Sequence, residues 1–120
     1  MQLRNHNYEK LEFYKRSVIL AASVLKKAKD LRPFALADQM SRAAISIPSN
    51  IAEGAERNSD KEFIRFLNFS SGSCSELRTQ IKIQLLLEPD DGGEWQAMSK
   101  EVGEINAMLW SFKASLGSKK

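Results

Sequence analysis

The chain carries a single cysteine, Cys74, and a single histidine, His6. One thiol cannot close an internal disulfide, and one cysteine with one histidine cannot furnish the usual ligand set of structural zinc, so disulfide scaffolds and zinc fingers are excluded. Three prolines and six glycines in 120 residues are too few for a collagen-like or low-complexity chain. Long apolar runs are missing as well. Uncharged stretches such as Ser17 to Leu25 and Ala43 to Ala52 reach about ten residues, half of the roughly 20 that a bilayer-crossing helix needs. The opening MQLRNHNYEK lacks the apolar core of a signal peptide, so the expectation is a cytoplasmic protein with no membrane partner.

What is present is an ordinary globular composition, 42% hydrophobic and 28% charged, with a formal net charge of +3. A length of 120 residues suits one domain spanning 1–120. Folded-monomer scaling gives about 6,500 Å² of surface, which leaves room for a single modest core. The helical period dominates the pattern. A first helix is expected over about 8–31. At 100° per residue its apolar positions Leu11, Phe13, Tyr14, Val18, Leu20, Ala21, Ala22, Val24, Leu25 and Ala28 form an arc of about 200°, wide enough for two burial partners. Arg32-Pro33 interrupts it. A second helix is expected over about 34–53, with Leu36, Met40, Ala43, Ala44, Ile47 and Ile51 inward, a kink at Pro48, and Gly54 as the residue that ends it. Ser59-Asp60-Lys61-Glu62 reads as a capping box opening a third helix over about 60–88. Its main face holds Phe63, Phe66, Leu67, Phe69, Cys74, Leu77, Ile81 and Leu85, and the small residues SSGSCS at 70–75 permit close helix approach. After the break Pro89-Asp90-Asp91-Gly92-Gly93, a fourth helix over about 94–116 carries one apolar stripe, with Trp110 outside it. Short links favour an all-α, up-down-up-down four-helix bundle. Apolar residues left over on the first helix and at Trp110 call for a homo-oligomer.

Catalytic signals are weak. A di-iron bundle needs two Glu-x-x-His pairs, which one histidine cannot supply, and Gly92-Gly93 lacks the spacing of a phosphate loop. Cys74 sits on an apolar face as a small hydrophobe. Glu53, Glu62 and Glu76 read as solvated or ion-paired carboxylates. No catalytic residue, metal ligand or cofactor is assigned, and the chain reads as a non-enzyme.

Two polar features remain. Arg42, Ser46, Asn50 and Glu53 fall within about 80° on the second helix, bordering its apolar face. With Arg57, and with Arg65 and Glu76 of the third helix, this strip forms either a packed or intersubunit polar network or a ligand surface. On the first helix, Lys15, Arg16, Lys26 and Lys27 make a basic outer stripe that is either solvated or a phosphate-binding face.

The string RAAISIPSNIAEG from Arg42 to Gly54, then Arg57, then KEFIRFLNFSSGSCSEL from Lys61 to Leu77, together with the opening YEKLEFYKRSVILAASVLKKAK, resembles the 23S rRNA intervening-sequence proteins, bacterial four-helix bundles once labelled ribosomal proteins. The resemblance covers nearly the whole chain and is weakest in the PDDGGEW link and the fourth helix. It implies a homopentamer with a central channel and no established catalytic activity; with basic surfaces multiplied by that symmetry, RNA or a ribonucleoprotein is the expected partner. A related bundle, the accessory protein of diversity-generating retroelements, is similar in architecture, though the chain resembles it less, and the alternative roles are a protein–protein adaptor or an accessory-like protein that binds a reverse transcriptase.

Overall fold

A computed structural model describes residues 7–118. Helices α1 (Glu12–Ala28), α2 (Phe34–Ala55), α3 (Asp60–Leu87) and α4 (Glu94–Gly117) make up most of it, with single 3₁₀ turns at Tyr8–Lys10 and Asp91–Gly93. No strand occurs among the described residues. Helix α2 packs on α1 and α3, and α4 packs on α3 and α1, so the four close around one core. The body measures 49 × 20 × 20 Å. Its long dimension is that of α3, whose 28 residues at about 1.5 Å each span about 42 Å. The accessible surface is 7102 Å².

Local chemistry sets the helix ends. The Ser59 hydroxyl accepts from the Glu62 amide at 3.1 Å, the capping bond expected of that box. The Asp90 carboxylate accepts from the amides of Trp95 and Gln96, at 3.0 Å each, and satisfies the start of α4 from outside it. Gly92 and Gly93, at φ of 85° and 70°, make the turn that brings Asp90 there. The first helix begins later than its periodicity suggests, because Leu11 is extended between the 3₁₀ turn and α1.

One reading of α2 needs correction. The helix holds Pro48 inside it. Beside the proline, the Ser70 hydroxyl of α3 donates to the carbonyl of Ile47 at 2.5 Å. Gly54 does not end the helix; it is buried within it. A Cβ there would meet the Phe66 Cβ at 2.6 Å and the Phe63 ring at 3.0 Å, so glycine is what lets α3 lie against α2. Small side chains continue the close contact, with Ser46 and Ser73 sharing a 2.8 Å hydroxyl bond across the seam.

The core is apolar and aromatic at its centre. Phe112 of α4 lies 5.2 Å from Phe13 of α1 and 5.5 Å from Phe63 of α3, ring to ring. Helix α3 departs from its expected face: Phe69 is 45% exposed, while Ser70, Ser73 and Gln84 are buried. The residues Gln80-Ile81-Lys82-Ile83-Gln84-Leu85 alternate with the period of a strand. Held as a helix, they place Ile83 outside and Gln84 inside.

Candidate nucleic-acid interface

The basic stripe of α1 divides into two kinds of residue. Arg16 donates from Nε to Glu101 Oε2 at 2.8 Å and from Nη2 to Glu101 Oε1 and Glu104 Oε1 at 2.5 Å each. These bonds hold the Arg16 pKa above its ordinary value, and the guanidinium in turn lowers the Glu101 carboxyl. Lys27 pairs with Glu94 at 2.6 Å and lies 5.5 Å from the centre of the Trp95 ring. Arg16 and Lys27 therefore fasten α1 to α4 through ion pairs. Eleven residues apart, they project within about 20° of each other, at the edge of the arc that meets α4. Lys15 and Lys26 are exposed.

Between α1 and α4 lies an open groove of about 720 Å³, lined by Ile19, Leu20 and Met98 and edged by Lys26, Lys27, Glu94 and Glu101. Ile19, 67% exposed, lies in this groove, whereas Val18 and Leu25, 43% and 37% exposed, are uncovered at the other edge of the helix, about 100° away.

Among the described residues, the ion pairs of Arg42 and Glu53 and the bonds of Asn50 in the polar strip of α2 run to neighbours one turn away. Arg42 pairs with Asp38 of its own helix at 2.9 Å, with both side chains largely exposed. Glu53 pairs with Arg57 at 2.8 Å in the same i,i+4 manner. Asn50 donates to the Ser46 carbonyl at 2.9 Å and to its hydroxyl at 3.2 Å. Ser46 reaches α3 through the Ser73 hydroxyl, and Arg57 lies over the Phe66 ring of α3, 4.7 Å from its centre. Arg65 pairs with Glu62 at 3.3 Å and lies over the rings of Phe66 and Phe69, while Glu76 is exposed. The physical reason is reach: the outer strip positions point into solvent, where a neighbour one turn away is the nearest counter-charge.

Residues that the sequence reading passed over define another surface. Lys113 of α4 is buried, its ammonium donating to Asn68 Oδ1 of α3 at 2.6 Å and lying 3.5 Å from the centre of the Trp110 ring. Burial lowers its pKa. The signal was in the spacing: Lys113 projects along the same line of α4 as buried Trp95. Further along this seam the Arg78 guanidinium lies against Gly103, whose Cβ would meet Nη1 at 3.2 Å. Arg78, Lys82 and Lys100 are exposed, and among the described residues none of them makes an ion pair.

Burial pushes the Cys74 thiol up to about 12, which keeps it protonated. No cluster of metal-ligating side chains occurs among the described residues, and His6 lies outside them. No described helix is long and apolar enough to cross a membrane.

The sequence model of the 23S rRNA-intervening sequence proteins matches residues 9–111. A crystal structure of a protein of unknown function from the S23 ribosomal protein family of Bacteroides thetaiotaomicron superposes with a TM-score of 0.79 at 22% identity, covering 84% of this chain and 97% of that one. That likeness concerns the fold. No curated protein matches the sequence significantly. With the four helices, the RAAISIPSNIAEG string and a match over residues 9–111 in agreement, the chain belongs to the 23S rRNA-intervening sequence protein family.

Proposed function

We propose that the protein is a non-enzymatic, homo-oligomeric bundle of up-down-up-down topology that binds RNA through basic surfaces in the cytoplasm. The carrying observation is the division of the charges. Glu53, Glu62, Glu94, Glu101 and Glu104 are paired with Arg57, Arg65, Lys27 and Arg16, whereas among the described residues Lys15, Lys26, Arg78, Lys82 and Lys100 face solvent without a paired carboxylate. Unpaired surface cations are what attract a phosphate backbone and release its counterions. The family's name ties its members to 23S rRNA, which supports RNA as the polyanion. The order of the cross-links supports the topology, since Arg16 meets Glu101 while Lys27, further along α1, meets the earlier Glu94.

Assembly is supported by exposed apolar residues on two sides of α1, Val18 and Leu25 on one and Ile19 on the other, surfaces that further copies would bury. Family resemblance gives five as the number, and five copies of +3 would carry a formal charge of +15. The groove between α1 and α4 favours a second reading, a protein adaptor whose partner inserts an apolar side chain beside Ile19.

Filter binding of RNA across a salt series tests the first reading. Retention at low salt that falls steeply and linearly on a log-log scale is expected. No retention at low salt transfers the role to the adaptor. Light scattering should give a multiple of 13.5 kDa, and a single-chain mass overturns assembly.

A further inference from the structure

Of the places where a cation lies over an aromatic ring, which include Lys27 at the buried Trp95 and Arg32 over the exposed Phe34, two border α3, and their electrostatics differ. At the α2/α3 end, Arg57 and Arg65 lie over Phe66 and Phe69, and each arginine is paired to a glutamate, Glu53 or Glu62. That site is close to neutral. Along the α3/α4 seam, Trp110 is 60% exposed and Arg78 and Lys82 stand on the facing helix without an ion pair among the described residues. Placing residues at 100° steps brings no aspartate or glutamate into the outward sectors of α3 and α4 beside this seam between Asn68 and Lys82.

We infer that the α3/α4 face is the RNA site of the bundle, with Trp110 as a stacking platform for a base of single-stranded RNA and with Arg78 and Lys82 on its phosphates. The inference rests on the RNA-binding reading above and adds the place and the mode. The ammonium of Lys113 lies against the Trp110 ring and is itself held by Asn68, so the indole is fixed from the protein side. An aromatic ring with one side anchored and the rest open offers a base its π-face with little ordering left to do. Gly103 leaves the surface flat where Arg78 crosses to α4. From Gly103 to Trp110 is seven residues, about 10 Å along the helix, so base and phosphate contacts lie along one short track. A duplex, whose bases are stacked inside, cannot use the indole; an acidic protein segment can use the cations but gains nothing from a base-stacking ring.

Anisotropy titrations of a labelled 20-residue oligouridylate against the full chain decide the matter. Trp110→Ala should weaken binding by about 5- to 150-fold while leaving the salt slope in place, because stacking releases no counterions. Arg78→Glu with Lys82→Glu should weaken binding and reduce the magnitude of the salt slope by about 1.4, two phosphate contacts at about 0.7 each. Trp110→Tyr should retain most of the affinity, and Phe34→Ala, an exposed ring elsewhere, all of it. Binding should also quench the fluorescence of Trp110, since Trp95 is only 4% exposed. Wild-type protein that binds no oligouridylate at low salt overturns the RNA reading together with the site. Wild-type binding that survives both α3/α4 variants overturns the site alone. A Trp110→Ala chain with a changed oligomeric mass makes Trp110 a subunit contact instead, and equal competition by polyglutamate shows a general polyanion surface; either result overturns the proposal.

Discussion

The α2/α3 seam and the α1/α4 seam join neighbouring helices by opposite means. Between α2 and α3, glycine, alanine and serine remove bulk, the backbones come close, and the bonds that cross are buried hydroxyls: Ser70 to the Ile47 carbonyl and Ser46 to Ser73. Between α1 and α4, long charged side chains reach across a partly open groove, and the links are ion pairs at its edge. Close packing is intolerant of added volume and insensitive to salt. Charge pairing across water tolerates substitution but depends on pH and ionic strength. The rigid half of the bundle is therefore α2/α3, and the adjustable half is α1/α4.

The largest effect is expected where that rigidity can be broken with a single carbon. Gly54→Ala adds a Cβ at 2.6 Å from the Phe66 Cβ, an atom that cannot swing away because it is fixed to the α3 backbone. Alanine is the better helix former by about 1 kcal/mol, yet overpacking of this kind costs about 1–3 kcal/mol. Steric cost should win. Gly72→Ala is the matched control, since nothing lies within 4 Å of its added carbon. It should stabilise by about 0.5–1 kcal/mol. Urea denaturation of the two variants should show midpoints displaced in opposite directions, and a Gly54→Ala protein as stable as Gly72→Ala would remove the close approach from the comparison.

A smaller effect is expected at the other seam. Arg16→Ala removes a fork that holds Glu101 and Glu104, but the side chains concerned are 28%, 32% and 49% exposed. Solvent screening limits the loss to about 1 kcal/mol. The pH dependence is more diagnostic than the size. Because Arg16 lowers the Glu101 pKa in the folded chain, the pair contributes stability above the unfolded carboxylate value, about 4.3, and loses it as pH falls through the lower folded value. The raised Arg16 pKa adds no second limb, since the guanidinium is charged in both states throughout the working range. Melting temperatures from pH 7 down to pH 3 should fall less steeply for Arg16→Ala than for the wild type. Equal acid limbs would mean that Glu101 is not held by Arg16 in solution.

This division also explains which parts were legible from the sequence. Helix positions, the Ser59 cap and most of the buried apolar residues follow from period and capping chemistry, which are local. Gly54 was misread because a glycine near a helix end has two uses, a left-handed stop or a close approach, and only the neighbour, Phe66, decides between them. Arg16 and Lys27 project at the boundary of the apolar arc, so their assignment to solvent or to a partner depends on the glutamates of α4. A matched spacing was present, Arg16 and Lys27 against Glu101 and Glu94, but using it requires knowing that α1 and α4 are neighbours. Lys113 was hidden by its charge, although its line on α4 is that of buried residues. On α3, the stretch from Gln80 to Leu85 puts an isoleucine outside and a glutamine inside, against the rule that relates polarity to burial.

The smallest effect belongs to Arg42, which begins the strip on the outer edge of the rigid seam. Its guanidinium and the Asp38 carboxylate are 74% and 61% exposed, and they are paired one turn apart on the same helix. Exposed pairs of this kind are screened by water and contribute little. Losing the arginine uncovers no buried partner, since Asp38 returns to water at little cost. Arg42→Ala should therefore leave the urea midpoint almost unmoved and the sedimentation coefficient unchanged. Ser73→Ala, by contrast, removes the hydroxyl that meets Ser46 between the helices and should cost about 1 kcal/mol. If Arg42→Ala proved the more damaging of the two, or shifted the protein to a smaller species, the guanidinium would have a second partner in the assembled oligomer. The rigid seam would then extend outward into a subunit contact through the strip.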